Sequence, residues 1–112
     1  MTQSIQLPFQ ESAMPQKLNP EQVTTATAEL THWTLGQAPE SLSRSLEFLD
    51  FKQAFAFMTR VALLAEELGH HPEWFNVYRR VEITLSTHDC DGLSELDLKM
   101  ARSIDQWAPP PR

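Results

Sequence analysis

The sequence predicts an α+β fold, a four-stranded antiparallel sheet with three helices packed on one face, in the order α-β-β-α-β-β-α. Three observations predict it. Two segments, 51–68 and 96–107, repeat apolar residues at helical spacing. Val81, Ile83 and Leu85 alternate with Glu82, Thr84 and Ser86, the pattern of a half-buried strand. Helix-start signals stand at Asn19, Asp50 and Ser94, ahead of each apolar-periodic block.

Taken in order, residues 1–18 mix polar residues, prolines and isolated hydrophobics, and read as a flexible N-terminal tail. The first helix is announced by Asn19-Pro20-Glu21: a capping side chain, a proline suited to the first helical position, and an acid at the positive end of the helix dipole. Val23, Ala26, Leu30 and Trp33 carry its apolar face, so the helix is expected to end near Trp33. Gly36 and Pro39 mark a turn with a strand on each side, the second carrying Leu42, Leu46 and Phe48.

The next helix opens with Asp50 and Gln53, which resemble a capping box. Phe51, Phe55, Met58, Ala62, Ala65 and Leu68 form its expected apolar stripe, and Gly69 is its natural stop. Trp74–Tyr78 and Val81–Leu85 read as a hairpin. A turn at Arg79-Arg80 would place His88 opposite His71, although Arg-Arg is a poor match to the favoured two-residue turns. Ser94 and Asp97 resemble a second capping box, followed by Leu96, Met100, Ile104 and Trp107 on one helix face. Three prolines at 109–111 end the domain, taken as residues 19–108, and leave 109–112 as a Pro-rich tail.

The totals narrow the function. The chain has 112 residues, of which 41% are hydrophobic, enough for one domain with a modest core. A net charge of −6 argues against binding a phosphate backbone, which needs a basic face. The single cysteine, Cys90, excludes an intrachain disulfide and Cys-rich zinc modules and fits a reducing compartment. The start of the chain lacks the pattern of a signal peptide, and no apolar run approaches membrane-spanning length, so the expectation is a cytoplasmic domain.

The chemistry concentrates in "AEELGHHPEWFNVY", residues 65–78, with "STHD", residues 86–89. Glu66 and His70 are four apart, the spacing of neighbours on one helix face. Gly69 stops the helix and Pro72 drives His71 into extended backbone, so the two histidines diverge. The hairpin brings His88 toward them. Three readings fit: polar residues at element ends, a metal site of three histidines with Glu66, or metal-free acid–base catalysis. The spacing matches neither common helical zinc pattern. Histidine, with an unperturbed pKa of about 6.5, can donate and accept protons near neutrality. Trp74 and Phe75 face opposite sides of their strand, so one can be core while the other lines a pocket. Cys90 reads as a small buried residue, because Asp89 and Asp91 disfavour a thiolate.

Glu66, His70-His71-Pro72, Trp74–Tyr78, Ser86-Thr87-His88 and Gly92-Leu93-Ser94 with Asp97, in this order, resemble the pterin-4a-carbinolamine dehydratases. The resemblance runs from about Pro20 to Trp107. It implies elimination of water from 4a-hydroxytetrahydrobiopterin to give the quinonoid dihydropterin, in the cofactor recycling that serves aromatic amino acid hydroxylases. It also implies no metal or other cofactor, and a homodimer or homotetramer. His70 and His88 map to the family's principal acid–base histidines, His71 to an assisting one, and Glu66 to a partner that orients His70. Gly69, Pro72, Trp74, Ser86, Thr87 and Asp89 would wall the pterin site. Gly69 and Asp89 depart from relatives that carry an acid and a glutamate there, which bears on affinity. The alternative the resemblance carries is a protein-interaction module acting as a transcriptional coactivator.

Overall fold

The structure, a computed structural model, describes residues 15–110. Most of the expected N-terminal tail and the end of the Pro-rich C-terminal tail lie outside the described residues. The elements are α1 (Pro20–Glu29), β1 (Thr34–Gly36), β2 (Ser41–Glu47), α2 (Phe51–Leu68), β3 (Glu73–Val77), β4 (Arg80–Leu85) and α3 (Glu95–Trp107), with a single 3-10 turn at His88–Cys90. The four strands form one antiparallel sheet in the order β1-β2-β4-β3.

The sheet has an inner and an outer face because its strands alternate. On β4, Val81, Ile83 and Leu85 are fully buried while Glu82 is exposed. Leu42 and Leu46 of β2 pair with Leu85 and Val81 on the same inner face. The helices cover this face, adding Val23 and Ala26 from α1, Ala54, Phe57, Val61 and Ala65 from α2, and Leu98, Met100, Ala101 and Ile104 from α3. Each large apolar side chain so enclosed contributes roughly 1.5–3 kcal/mol. Among the described residues, no helix is long and apolar enough to cross a membrane.

Local chemistry sets the helix ends. Asn19 and Gln22 close a reciprocal capping box on α1, and Ser94 and Asp97 close another on α3. Asp50 accepts the Gln53 amide, but α2 has the one-sided cap only. Gly69 ends α2 at φ 64°, ψ 32°, a left-handed conformation that glycine adopts without Cβ strain.

Four expectations are corrected. Helix α1 stops at Glu29 rather than near Trp33; Trp33 lies beyond a turn, buried, with its Nε1 donating to Asp105 at 2.8 Å. Leu18, assigned by sequence to the tail, is part of the core, and its amide donates to Leu93 O at 2.8 Å.

The stripe expected to bury α2 is rotated about the helix axis. Ala54, Phe57, Val61 and Ala65 face the sheet, whereas Phe51, Phe55 and Ala62 are exposed. The helix is apolar on two adjacent faces, and the sheet takes the one with the smaller side chains. Finally, the β3–β4 turn is Tyr78-Arg79, one residue earlier than expected. Tyr78 takes φ 53°, and the Asn76 side-chain amide donates to the Tyr78 and Arg80 carbonyls at 3.1 and 2.9 Å. Trp74 therefore pairs with Ile83, and the extrapolated partner of His71 is no longer His88. The displacement preserves the faces, because partners move by two residues.

Candidate active site

A cleft of about 660 Å³ opens between the α2–β3 junction, the segment after β4, the start of α3 and residues 15–22. His70, His71 and His88 all line it. Each histidine arrives by a distinct local device. Gly69 turns the chain out of the helix, and the His70 amide donates back to Ala65 O at 3.0 Å, a Schellman-type closure. Pro72 disfavours helical backbone at His71, on the way into β3, which starts at Glu73. His88 opens the 3-10 turn after β4, which Asp91 ends at φ 58°.

His70 is buried, and its Nε2 lies 2.6 Å from Asp97 Oδ1. The Asp97 side chain is wholly enclosed. Its Oδ2 accepts from Thr87 Oγ1 at 2.6 Å and from the Ser94 amide at 2.9 Å. The Thr87 hydroxyl proton is committed to Asp97, so the Ser94 hydroxyl donates to Thr87 Oγ1 at 2.7 Å. Two donors on Oδ2 favour the carboxylate form of Asp97, which accepts the His70 Nε2–H on Oδ1. This fixes the ring and leaves Nδ1 as the nitrogen able to meet a ligand. The Asp97 of the capping box thus also holds a histidine 27 positions away.

The other two histidines are exposed. His71 Nε2 lies 2.7 Å from Glu66 Oε2, and His88 Nε2 lies 3.4 Å from Glu73 Oε2. Glu66 does not meet His70. Once Gly69 ends the helix, the spacing of four no longer describes one helix face, and the partner becomes His71. Among the described residues, no group of three or more His, Cys, Asp and Glu side chains is arranged to hold a metal ion.

Of the remaining predicted residues, Gly69, Ser86, Thr87 and Asp89 line the cleft. The Ser86 hydroxyl donates to Glu40 O at 3.0 Å, tying the segment to the β1–β2 turn. Trp74 and Pro72 are not among the lining residues: Trp74 shares the inner face with Ile83 and packs against the core. Burial pushes the Cys90 thiol pKa up, and the charges of Asp97 and then Asp89 act in the same direction. Sequence reasoning missed the second role of Asp97. It also missed the wall built by Gln16, Leu18 and Gln22, since residues before Asn19 read as tail.

The sequence pattern described for pterin 4 alpha carbinolamine dehydratase matches residues 16–107. The chain belongs to this family. A relative from Burkholderia orbicola, named "Putative pterin-4-alpha-carbinolamine dehydratase", is 55% identical over 92 residues, covering 82% of this chain and 90% of the relative. One of the same name from Burkholderia pseudomallei is 54% identical over 93 residues, covering 83% and 92%. A crystal structure described as a transcriptional coactivator/pterin dehydratase from Brucella melitensis superposes with a TM-score of 0.79 at 45% identity, over 83% of this chain and 99% of that one. Another solved structure, described as a pterin dehydratase-like protein that is a RuBisCO assembly factor in the alpha-carboxysome, gives a TM-score of 0.59 at 29% identity, over 67% of this chain and 87% of that one. The dehydratase family therefore includes relatives described by roles other than dehydration.

Proposed function

We propose that this family member is a dehydratase that eliminates water from 4a-hydroxytetrahydrobiopterin or a closely related tetrahydropterin by histidine acid–base catalysis. The observation that carries the proposal is the cleft itself, with three histidines on it, each set against its own carboxylate. Elimination breaks the C4a–O bond. One proton goes to the departing hydroxyl to make water, the N5 proton goes to a base, and the N5 electron pair closes the N5=C4a bond. Both transfers suit imidazoles near neutrality. His70 and His88 are the acid–base pair in this reading, with His71 assisting. Gly69, Ser86, Thr87 and Asp89 form the wall against which the ring is held. The product is the quinonoid dihydropterin, and the pathway is the recycling that supports aromatic amino acid hydroxylation in the cytoplasm.

The test is turnover of freshly generated 4a-hydroxytetrahydropterin with chelator present. The expected result is acceleration over the spontaneous reaction, unchanged by the chelator. A rate equal to the spontaneous one overturns the proposal.

A second reading, a protein-interaction module, is favoured by a different observation. Phe55 and Leu63 on α2 are 54% and 68% exposed, and the Phe51 and Phe55 rings pack together at 5.8 Å. On β3, Phe75 and Val77 are also exposed. Such faces suit a partner or self-association as a homodimer or homotetramer. A His70→Ala/His88→Ala variant that folds separates the two functions: the interaction role survives it and dehydration does not.

A further inference from the structure

Helix α3 brings a cation to the cleft that the acid–base reading does not use. Lys99 lines it, about one helical turn beyond Glu95. Glu95 is four residues N-terminal to Lys99, the favoured spacing for a helical ion pair. Yet Glu95 pairs instead with Arg102, at 3.5 Å, and Arg102 also reaches Glu29, at 3.6 Å. Among the described residues Lys99 has no ion pair, in a chain of net charge −6.

The surroundings of Lys99 suit an anion. The wall contributed by residues 15–22 is uncharged where it meets the cleft, with Gln16 and Gln22 as its polar side chains. Gln22 Oε1 accepts the Asn19 amide at 2.8 Å, which leaves both N–H donors of the side-chain NH2 uncommitted by that bond. Of the two carboxylates that line the cleft, Glu95 is paired with Arg102, and Asp89 lies in the turn that carries His88.

We propose that Lys99, aided by Gln22, is a specificity-determining residue that favours pterins bearing an anionic group, a carboxylate or phosphate, on the substituent extending from the ring. This rests on the pterin reading of the cleft. The histidines would act on the ring, and Lys99 would read the substituent.

The experiment titrates the full chain with two stable probes, pterin-6-carboxylate and 6-hydroxymethylpterin, and follows pterin fluorescence. The expected result is tighter binding of the carboxylate by about three- to fivefold, the scale of an exposed ion pair. That preference should shrink in raised salt. It should vanish in Lys99→Gln and invert in Lys99→Glu, while 6-hydroxymethylpterin binds all three proteins alike. Equal binding of the two probes by the native chain, or a carboxylate preference that persists in Lys99→Gln, overturns the assignment and leaves the pterin reading intact. Binding of neither probe counts against the pterin reading and removes the basis for this one.

Discussion

His70 meets Asp97 at 2.6 Å and His71 meets Glu66 at 2.7 Å, two nearly equal contacts made by adjacent residues. Their environments differ. The His70 and Asp97 side chains are 9% and 0% exposed, against 61% and 77% for His71 and Glu66. An exposed pair is worth at most about 1 kcal/mol, because water screens it and two side chains must be ordered. Breaking a buried pair typically costs about 3–5 kcal/mol, because the remaining charge has no compensation. Burial and the number of donors around the carboxylate, rather than contact length, therefore rank these pairs. The inner pair fixes a tautomer and an orientation; the outer pair leaves its imidazole largely in water.

The sharpest way to break that comparison is Asp97→Asn. All three partners of Asp97 donate to it, from Thr87, Ser94 and His70. An isosteric amide must turn its NH2 toward one of these donors. The expected outcome is a fall in kcat of about a hundredfold or more, on the scale of one general acid–base group. Unfolding free energy in urea should drop by about 1–3 kcal/mol, the cost of leaving one buried donor without an acceptor. An unchanged kcat in a folded Asp97→Asn protein would mean that His70 needs no fixed tautomer.

Thr87→Val probes the same knot one bond farther out. The substitution keeps the shape and removes the hydroxyl. Asp97 Oδ2 then retains the Ser94 amide alone, and the Ser94 hydroxyl loses its acceptor. A stability loss of about 1–3 kcal/mol is expected, read from the urea midpoint at constant slope. The contact between His70 and Asp97 survives, so kcat should fall less than in Asp97→Asn. The reverse order would place the catalytic weight on Thr87 itself.

The comparison also shows what the sequence could disclose. The order of elements was legible because the caps at Asn19 and Ser94 and the alternation along β4 are local features. The seat of His70 was not. Asp97 looks complete as a capping residue, and nothing in a capping box indicates that its carboxylate also serves a side chain 27 positions away. Glu66 was set against His70 by counting along a helix that Gly69 had already ended. The buried face of α2 was misplaced because Phe51 and Phe55 outweigh Ala54 in hydrophobicity, while the sheet leaves room for the smaller side chain. The hairpin turn was missed by one residue because Tyr78 is an uncommon occupant of positive φ, tolerated here beside the Asn76 bonds.

The smallest expected effect is the most direct check on the outer pair. In Glu66→Gln the side-chain oxygen remains able to accept from His71, and only the charge is lost. Both groups are largely in water, so unfolding free energy should change by less than about 0.5 kcal/mol. Turnover should stay within about threefold of the native rate, and the difference should narrow as salt is raised, since an exposed pair is already screened at moderate ionic strength. A hundredfold loss of turnover at unchanged stability would reverse the ranking. The charge of Glu66 would then act on the reaction through His71, and the exposed imidazole rather than the buried one would be the group whose protonation the site controls.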